Sequence, residues 1–271
     1  MKKDNSAHFK QSTLLPWIEM RAANRSTACY EAHSHDEFSF GIIEQGIADY
    51  RNRHRTHRIS TGDIVTINPA DVHACNPEVG TWSYTMLFVE TKTMGQVQQE
   101  ISNNFTQDYT PFLNDLEKNT LLRHRFRSLF SALQEETSAL QAQHSFYEFI
   151  EASLAIEPQT REKARKALPN LTRVREKLSD ELGHTHQLEE LAKEADMSRY
   201  QLLRAFKTQY GLPPHAYLMD ERVKRAKVML KAGQSISDIA LSLGFSDQAH
   251  FQRQFKKKLA VTPKFYQSHF V

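Results

Sequence analysis

Two stretches of the last hundred residues repeat one another, and this repeat limits the fold more than any other feature of the chain. Leu191-Ala192 returns as Ile239-Ala240 and Met197-Ser198 as Phe245-Ser246, both 48 residues on; Arg204, Phe206 and Lys207 return as Arg253, Phe255 and Lys256 at an offset of 49. Each copy predicts a short helix with a small residue (Ala192, Ala240) where a second helix must approach, then a turn, then a longer helix carrying Arg and Lys. Ser198 is a natural N-cap for a helix over 199–210, with Gly211 to end it. Ser246 or Asp247 starts its counterpart, which runs to about Leu259. Pro213-Pro214 opens a longer joining helix, Ser235 caps the short helix before Gly244, and Thr262-Pro263 starts a terminal one. Ahead of them Leu171, Val174, Leu178 and Leu182 form an apolar stripe, with Gly183 as the expected C-cap.

Two helix-turn-helix units on one face must enter successive major grooves, about 34 Å apart. Residues early in the second helices would then meet base edges: Arg199, Tyr200, Leu203 and Arg204 in the first copy, and Gln248, Ala249, His250, Gln252 and Arg253 in the second. Arg can bond two acceptors of guanine, and Gln pairs similarly with adenine. Leu202, Phe206, Phe251 and Phe255 read as core anchors, while Lys207, Lys256, Lys257 and Lys258 suit solvent or phosphate.

Charge agrees with this division. Residues 161–271 hold 21 Lys and Arg against 12 Asp and Glu, and the rest of the 271-residue chain 14 against 20. A basic half joined to an acidic half indicates one module for a polyanion and one for another task. No apolar run approaches the ~20 residues of a membrane span, and MKKDNSAHFKQSTLLPW lacks the apolar stretch of a secretory signal. Two cysteines, Cys29 and Cys75, make no disulfide framework, so a reducing cytoplasm is expected.

The acidic half reads first as strands. Phe38–Ile43, Ile64–Ile67 and Tyr84–Val89 are short apolar stretches separated by turn signals such as Gly46, Thr61-Gly62-Asp63 and Asn68-Pro69, which favours a small barrel or sandwich. From about residue 95 the pattern turns helical, and Leu122, Phe126, Leu129 and Leu133 follow helix spacing. That stripe suits either a dimer contact or packing on the same chain. The expected domains are a barrel over 1–95, a helical dimerisation or packing segment over 96–156, a linker over 157–170 and a DNA-binding domain over 171–271.

His33 and His35, two apart on a strand, would face the same way, and His73 could converge on them after a turn. With Glu37 these are the candidate ligand-binding residues. Such a set serves a metal-free pocket, a structural role or a transition metal. The cluster Arg51, Arg53, His54, Arg55, His57 and Arg58 reads as an exposed hairpin.

The stretch IALSLGFSDQAHFQRQFKKKLAVTPKFYQ resembles the signature of the AraC/XylS family of bacterial transcription regulators, and ELAKEADMSRYQLLRAFKTQYGLPPHAYL resembles its first helix-turn-helix. Gln187 stands where that family has a Ser or Thr cap, and Asp196 where its turn has Gly. HSHDEFSFGIIEQG and GDIVTINPADVH resemble the two motifs of the cupin barrel that serves as sensor in many such regulators; Ser39 and Phe40 stand where metal-binding cupins place a Glu. The resemblance implies an α+β two-domain chain: a cupin-like β-barrel with following helices, then an all-α domain with two helix-turn-helix units. It implies a cytoplasmic, ligand-responsive regulator, an activator rather than a repressor. Its partners would be double-stranded DNA, a small-molecule effector, RNA polymerase and a second copy of itself, with no membrane and no required cofactor. The rival reading is a metal-dependent cupin enzyme with a helical appendage.

Overall fold

A computed structural model describes residues 6–102, 107–136, 138–156 and 168–271. Contacts divide the chain into two compact units, Ser34–Arg161 with the residues up to Cys29, and Glu162–Val271 with Tyr30–His33. Most of the segment expected to be a linker, 157–170, lies outside the described residues.

In the N-terminal unit the described strands are β1 (Ala7–Gln11), β2 (Ile18–Ser26), β3 (Phe38–Gln45), β4 (Ile47–Asn52), β5 (Arg55–Ser60), β6 (Ile64–Ile67), β7 (His73–Pro77), β8 (Trp82–Val89) and β9 (Leu116–Glu117), with helices α1 (Thr91–Ser102), α2 (Thr120–Glu135) and α3 (Ala139–Leu154). They form a six-stranded sheet ordered β1-β2-β8-β3-β6-β9 and a three-stranded sheet ordered β5-β4-β7. The expected barrel is therefore two sheets, not one closed ring of hydrogen bonds. Gly46, at φ +91°, turns the chain from β3 into β4 and so from one sheet to the other. A Cβ there would meet the Thr81 carbonyl oxygen at 2.8 Å.

The alternation along β3 sorts its side chains. Phe38, Phe40 and Ile42 join the main core with Leu87 of β8 and Phe126, Phe146 and Phe149 of α2 and α3. Phe40 stacks on Phe149 with ring centroids 4.4 Å apart. Leu122, Phe126, Leu129 and Leu133 are all buried in this core of the same chain. Asn119 caps α2 through the amides of Leu121 and Leu122, and Ser138 caps α3 through that of Gln141.

The C-terminal unit is helical: α4 (Pro169–Asp180), α5 (Leu188–Glu194), α6 (Arg199–Tyr210), α7 (Pro214–Lys231), α8 (Ile236–Ser242), α9 (Gln248–Leu259) and α10 (Pro263–Gln267). The long helix α7 packs against α4, α6, α8, α9 and α10. Leu171, Val174 and Leu178 are buried as their spacing predicts. Gly183 does not act as the left-handed C-cap; α4 ends at Glu181 instead. Its lack of a side chain serves close approach, since a Cβ on Gly183 would lie 2.9 Å from the Ser242 carbonyl oxygen, and one on Gly244 would lie 2.4 Å from the Gly183 carbonyl oxygen.

Candidate functional site

The two helix-turn-helix units superpose in their chemistry. Ala192 and Ala240 are both buried. The amide of Met197 donates to the Ala192 carbonyl (2.9 Å), and that of Phe245 to the Ala240 carbonyl (3.0 Å). Left-handed backbone occupies the equivalent turn positions, Asp196 at φ 53° and Gly244 at φ 69°. Asp is tolerated there better than most residues. Ser198 caps α6 in a capping box with Gln201, whereas Asp247 caps α9 through the His250 amide. The extra residue behind the change of offset from 48 to 49 is thus Ser246, just before that cap. Gln187 makes no side-chain cap.

Behind the turns, Leu202, Phe206, Phe251 and Phe255 are fully buried, which leaves the opposite faces of α6 and α9 to solvent. Arg199, Tyr200, Leu203 and Arg204 are exposed in the first copy, Tyr200 at 68%. Gln248, Ala249 and Arg253 are exposed in the second, while His250 and Gln252 are half-buried. His250 is engaged locally: the Ser246 hydroxyl lies 3.1 Å from its Nδ1, and its ring packs edge-on against Phe245. Lys207 and Lys257 are exposed, but Lys258 is buried with Nζ 3.6 Å from the Asp220 carboxylate. Lys258 therefore holds α9 against α7 and is not a phosphate ligand.

Arg222 of α7 is the buried group that organises these turns. Its Nε and Nη2 donate to the carbonyls of Leu182 (2.7 Å) and His184 (2.9 Å), and its Nη1 to that of Gly244 (2.7 Å). The sequence offered no signal for this role, because nothing local distinguishes Arg222 from its basic neighbours.

In the N-terminal unit His35 and His73 come together, though not from one strand. His33 and His35 lie before β3, and His73 opens β7. The turn Asn68-Pro69-Ala70-Asp71, with Ala70 at φ 64°, brings the Ala70 amide to the His35 carbonyl (2.7 Å). The rings of His35 and His73 are 4.7 Å apart, and His35 meets Phe88 edge-on at 5.0 Å. His33 falls with the C-terminal unit. Glu37 does not join His35 and His73.

The residues that sequence reasoning missed lie on the inner face of β4. Ala48, Tyr50 and Asn52 are buried while their neighbours are exposed, a period-two signal that IADYRN did carry. The Tyr50 hydroxyl donates to the Thr66 carbonyl (3.0 Å) across the two sheets and accepts from Asn52 Nδ2 (2.8 Å). Burial, aided by the Asp115 carboxylate, holds the Tyr50 phenol well above its ordinary pKa, so it stays a donor. The arginine hairpin is tied to acids: Arg53 to Asp71 (2.6 Å), His57 to Asp115 (2.9 Å) and Arg58 to Glu78 (2.6 Å).

Comparison with known proteins fits both regions. Residues 17–150 match the AraC-like ligand binding domain family, and residues 191–269 match a helix-turn-helix domain family. A transcriptional regulator of Bacillus subtilis, YbfI, is 28% identical over 80% of this chain and 80% of its own. The transcriptional activator RhaR of Mannheimia succiniciproducens is 23% identical over 89% of this chain and 88% of its own. Among solved structures, ToxT of Vibrio cholerae is similar in fold, with a TM-score of 0.58 at 12% identity over 94% of this chain and 98% of ToxT. No described helix is long and apolar enough to cross a membrane.

Proposed function

The chain belongs to the AraC family of helix-turn-helix transcription regulators with a ligand-binding domain, and from that premise we propose that α6 and α9 read successive major grooves while the N-terminal unit senses a small molecule. The observation that carries this reading is the doubled unit itself: two capped helices, each anchored by buried aromatics, with Arg199, Tyr200, Arg204, Gln248 and Arg253 left in solvent. Arg204 and Arg253 are the direct base readers, with Tyr200, Leu203, Gln248, Ala249 and Gln252 beside them. His250 positions the start of α9 and touches DNA from there.

The effector binds in the N-terminal unit beside His35 and His73, with Glu37 at the margin. It acts by binding more tightly to the chain in one DNA-binding state than in the other, because only differential affinity shifts an equilibrium. RhaR carries the name of an activator, which supports an activating role here, exerted as a homodimer on RNA polymerase in the cytoplasm. The histidines are assigned no reaction.

The test uses the full chain and duplex DNA selected by it from a random pool. Arg253→Ala should weaken binding to the selected site by roughly 1–3 kcal/mol, and relax selectivity at one base position. Affinity equal to that of the parent chain would remove α9 from the base-reading role.

A further inference from the structure

Buried polar atoms without a partner are rare, and each calls for an explanation. Two of them face the space between the sheets of the N-terminal unit. Along β3, Phe38 and Phe40 point into the helix-covered core, so Ser39 between them points the other way, toward the second sheet. Ser39 is fully buried, and its Oγ has no hydrogen-bond partner among the described residues. On β4, Asn52 is buried and its amide is oriented by Tyr50. The Thr66 carbonyl can only accept, so the Tyr50 hydroxyl donates to it and accepts from Asn52 Nδ2. Asn52 Oδ1 is left over, and it too lacks a partner among the described residues.

The two atoms border one space. Ser39 is paired with Phe88 of β8 and with Ile67 of β6. The Phe88 ring lies 5.0 Å from that of His35, which lies 4.7 Å from that of His73. His73 in turn stands directly opposite Asn52 in the pairing of β4 with β7. Ser39 Oγ and Asn52 Oδ1 do not bond one another, so a guest between them is what would satisfy both. The surrounding face is apolar: Phe88 and Ile67 share the row of Ser39, Met86 and Val65 share the next, and all four are buried. The buried Arg21 guanidinium is engaged elsewhere. It lies over the rings of Phe9 and Tyr84, at 4.9 and 5.6 Å. Its strand is two places from β3 on the side away from β6, about 10 Å off.

We propose that the N-terminal unit binds a neutral, mainly apolar alcohol, whose hydroxyl donates to Asn52 Oδ1 and accepts from Ser39 Oγ, directly or through a bridging water. The proposal rests on the reading of this unit as a sensor and names the chemistry of the effector. Asn52 Oδ1 can only accept, so its partner must bring a hydrogen; a carboxylate would set lone pair against lone pair. A hydroxyl gives one hydrogen and takes another, which matches an amide oxygen on one side and a serine hydroxyl on the other. An ammonium could donate to both, but it would leave water for two neutral groups, and burying a charge without an opposite one is costly. A sugar-like polyol would bury further hydroxyls against Phe88, Ile67, Met86 and Val65, whose side chains offer none of them a partner. A largely apolar wall with a few placed polar atoms is the usual make-up of a small-molecule site.

The experiment titrates the full chain, by calorimetry, with benzyl alcohol, cyclohexylmethanol and 1-hexanol, and with the carboxylate, ammonium and methyl counterpart of each. At least one alcohol should bind saturably at one equivalent per chain, and about tenfold or more tighter than its counterparts. Ser39→Ala should weaken that alcohol roughly three- to tenfold, the loss of one hydrogen bond. Asn52→Leu should do the same, and the exposed His54→Gln should leave binding unchanged. Ser39→Ala also removes an unpartnered buried atom, so the variant should melt no lower than the parent chain; a residue that serves folding alone would show that stability with no change in binding. Absence of saturable binding by every alcohol overturns the proposal, as does preference for a carboxylate or an ammonium, or alcohol binding that both variants leave intact. Affinity for selected DNA is scored with and without the bound alcohol; no change there would count against the sensor reading and not against the alcohol site.

Discussion

The two cysteines show how much a side chain's setting governs its chemistry. Cys29 is exposed. Cys75 sits opposite Tyr50 in the three-stranded sheet, where burial first, and the Asp49 carboxylate second, push its thiol far above the usual range. Only the thiolate is nucleophilic. Iodoacetamide at mild alkaline pH should therefore label Cys29 well ahead of Cys75 in the native chain, with the difference abolished in denaturant; equal rates by mass spectrometry would contradict the burial of Cys75. Asp196 permits a second check. Its left-handed backbone predicts that Asp196→Gly raises stability by a few tenths to ~1 kcal/mol in urea melts, and that Asp196→Ala lowers it. The sequence pointed to Asp196 through the family resemblance, since that family's turn has Gly there. It did not reveal Asn52, whose place comes from Tyr50 on the same strand face and, through it, from the Thr66 carbonyl in the other sheet.

Secondary elements were readable wherever the information is local. The apolar spacing of α4, the caps Ser198, Ser235 and Thr262, and the strand core around Phe40 all follow from neighbours within one or two turns. Gly183 misled for the opposite reason: its role is an approach to Ser242 and Gly244, some sixty residues on. The division into two sheets was out of reach in the same way, since β3 and β4, joined by a single glycine turn, lie in different sheets. His33 and His35 were expected on a strand, and instead they precede β3, with the His35 carbonyl accepting from the Ala70 amide. The contact of Gly244 with Gly183 also gives a sharp expectation. Gly244→Ala adds both a disfavoured φ and a clash with a carbonyl, and should destabilise the C-terminal unit by at least ~2 kcal/mol. Asp247→Ala, which only removes a cap, should cost about 1 kcal/mol. Comparable losses for both, measured by chemical denaturation, would refute the crowding at the turn.

At the level of the whole molecule, the uneven charge should appear as salt dependence. A basic C-terminal region meeting DNA phosphates releases counterions, so the affinity of the full chain for selected DNA should fall by orders of magnitude between about 50 and 200 mM salt. A shallow dependence would mean that few phosphates are met. One further consequence follows from Arg222. A single guanidinium gathers carbonyls from the loop ahead of the first helix-turn-helix and from the turn of the second. A lysine cannot reproduce that planar fork. Duplicated modules often fray one at a time; here a shared clasp should make both copies open together, with matched hydrogen-exchange rates that Arg222→Lys would uncouple.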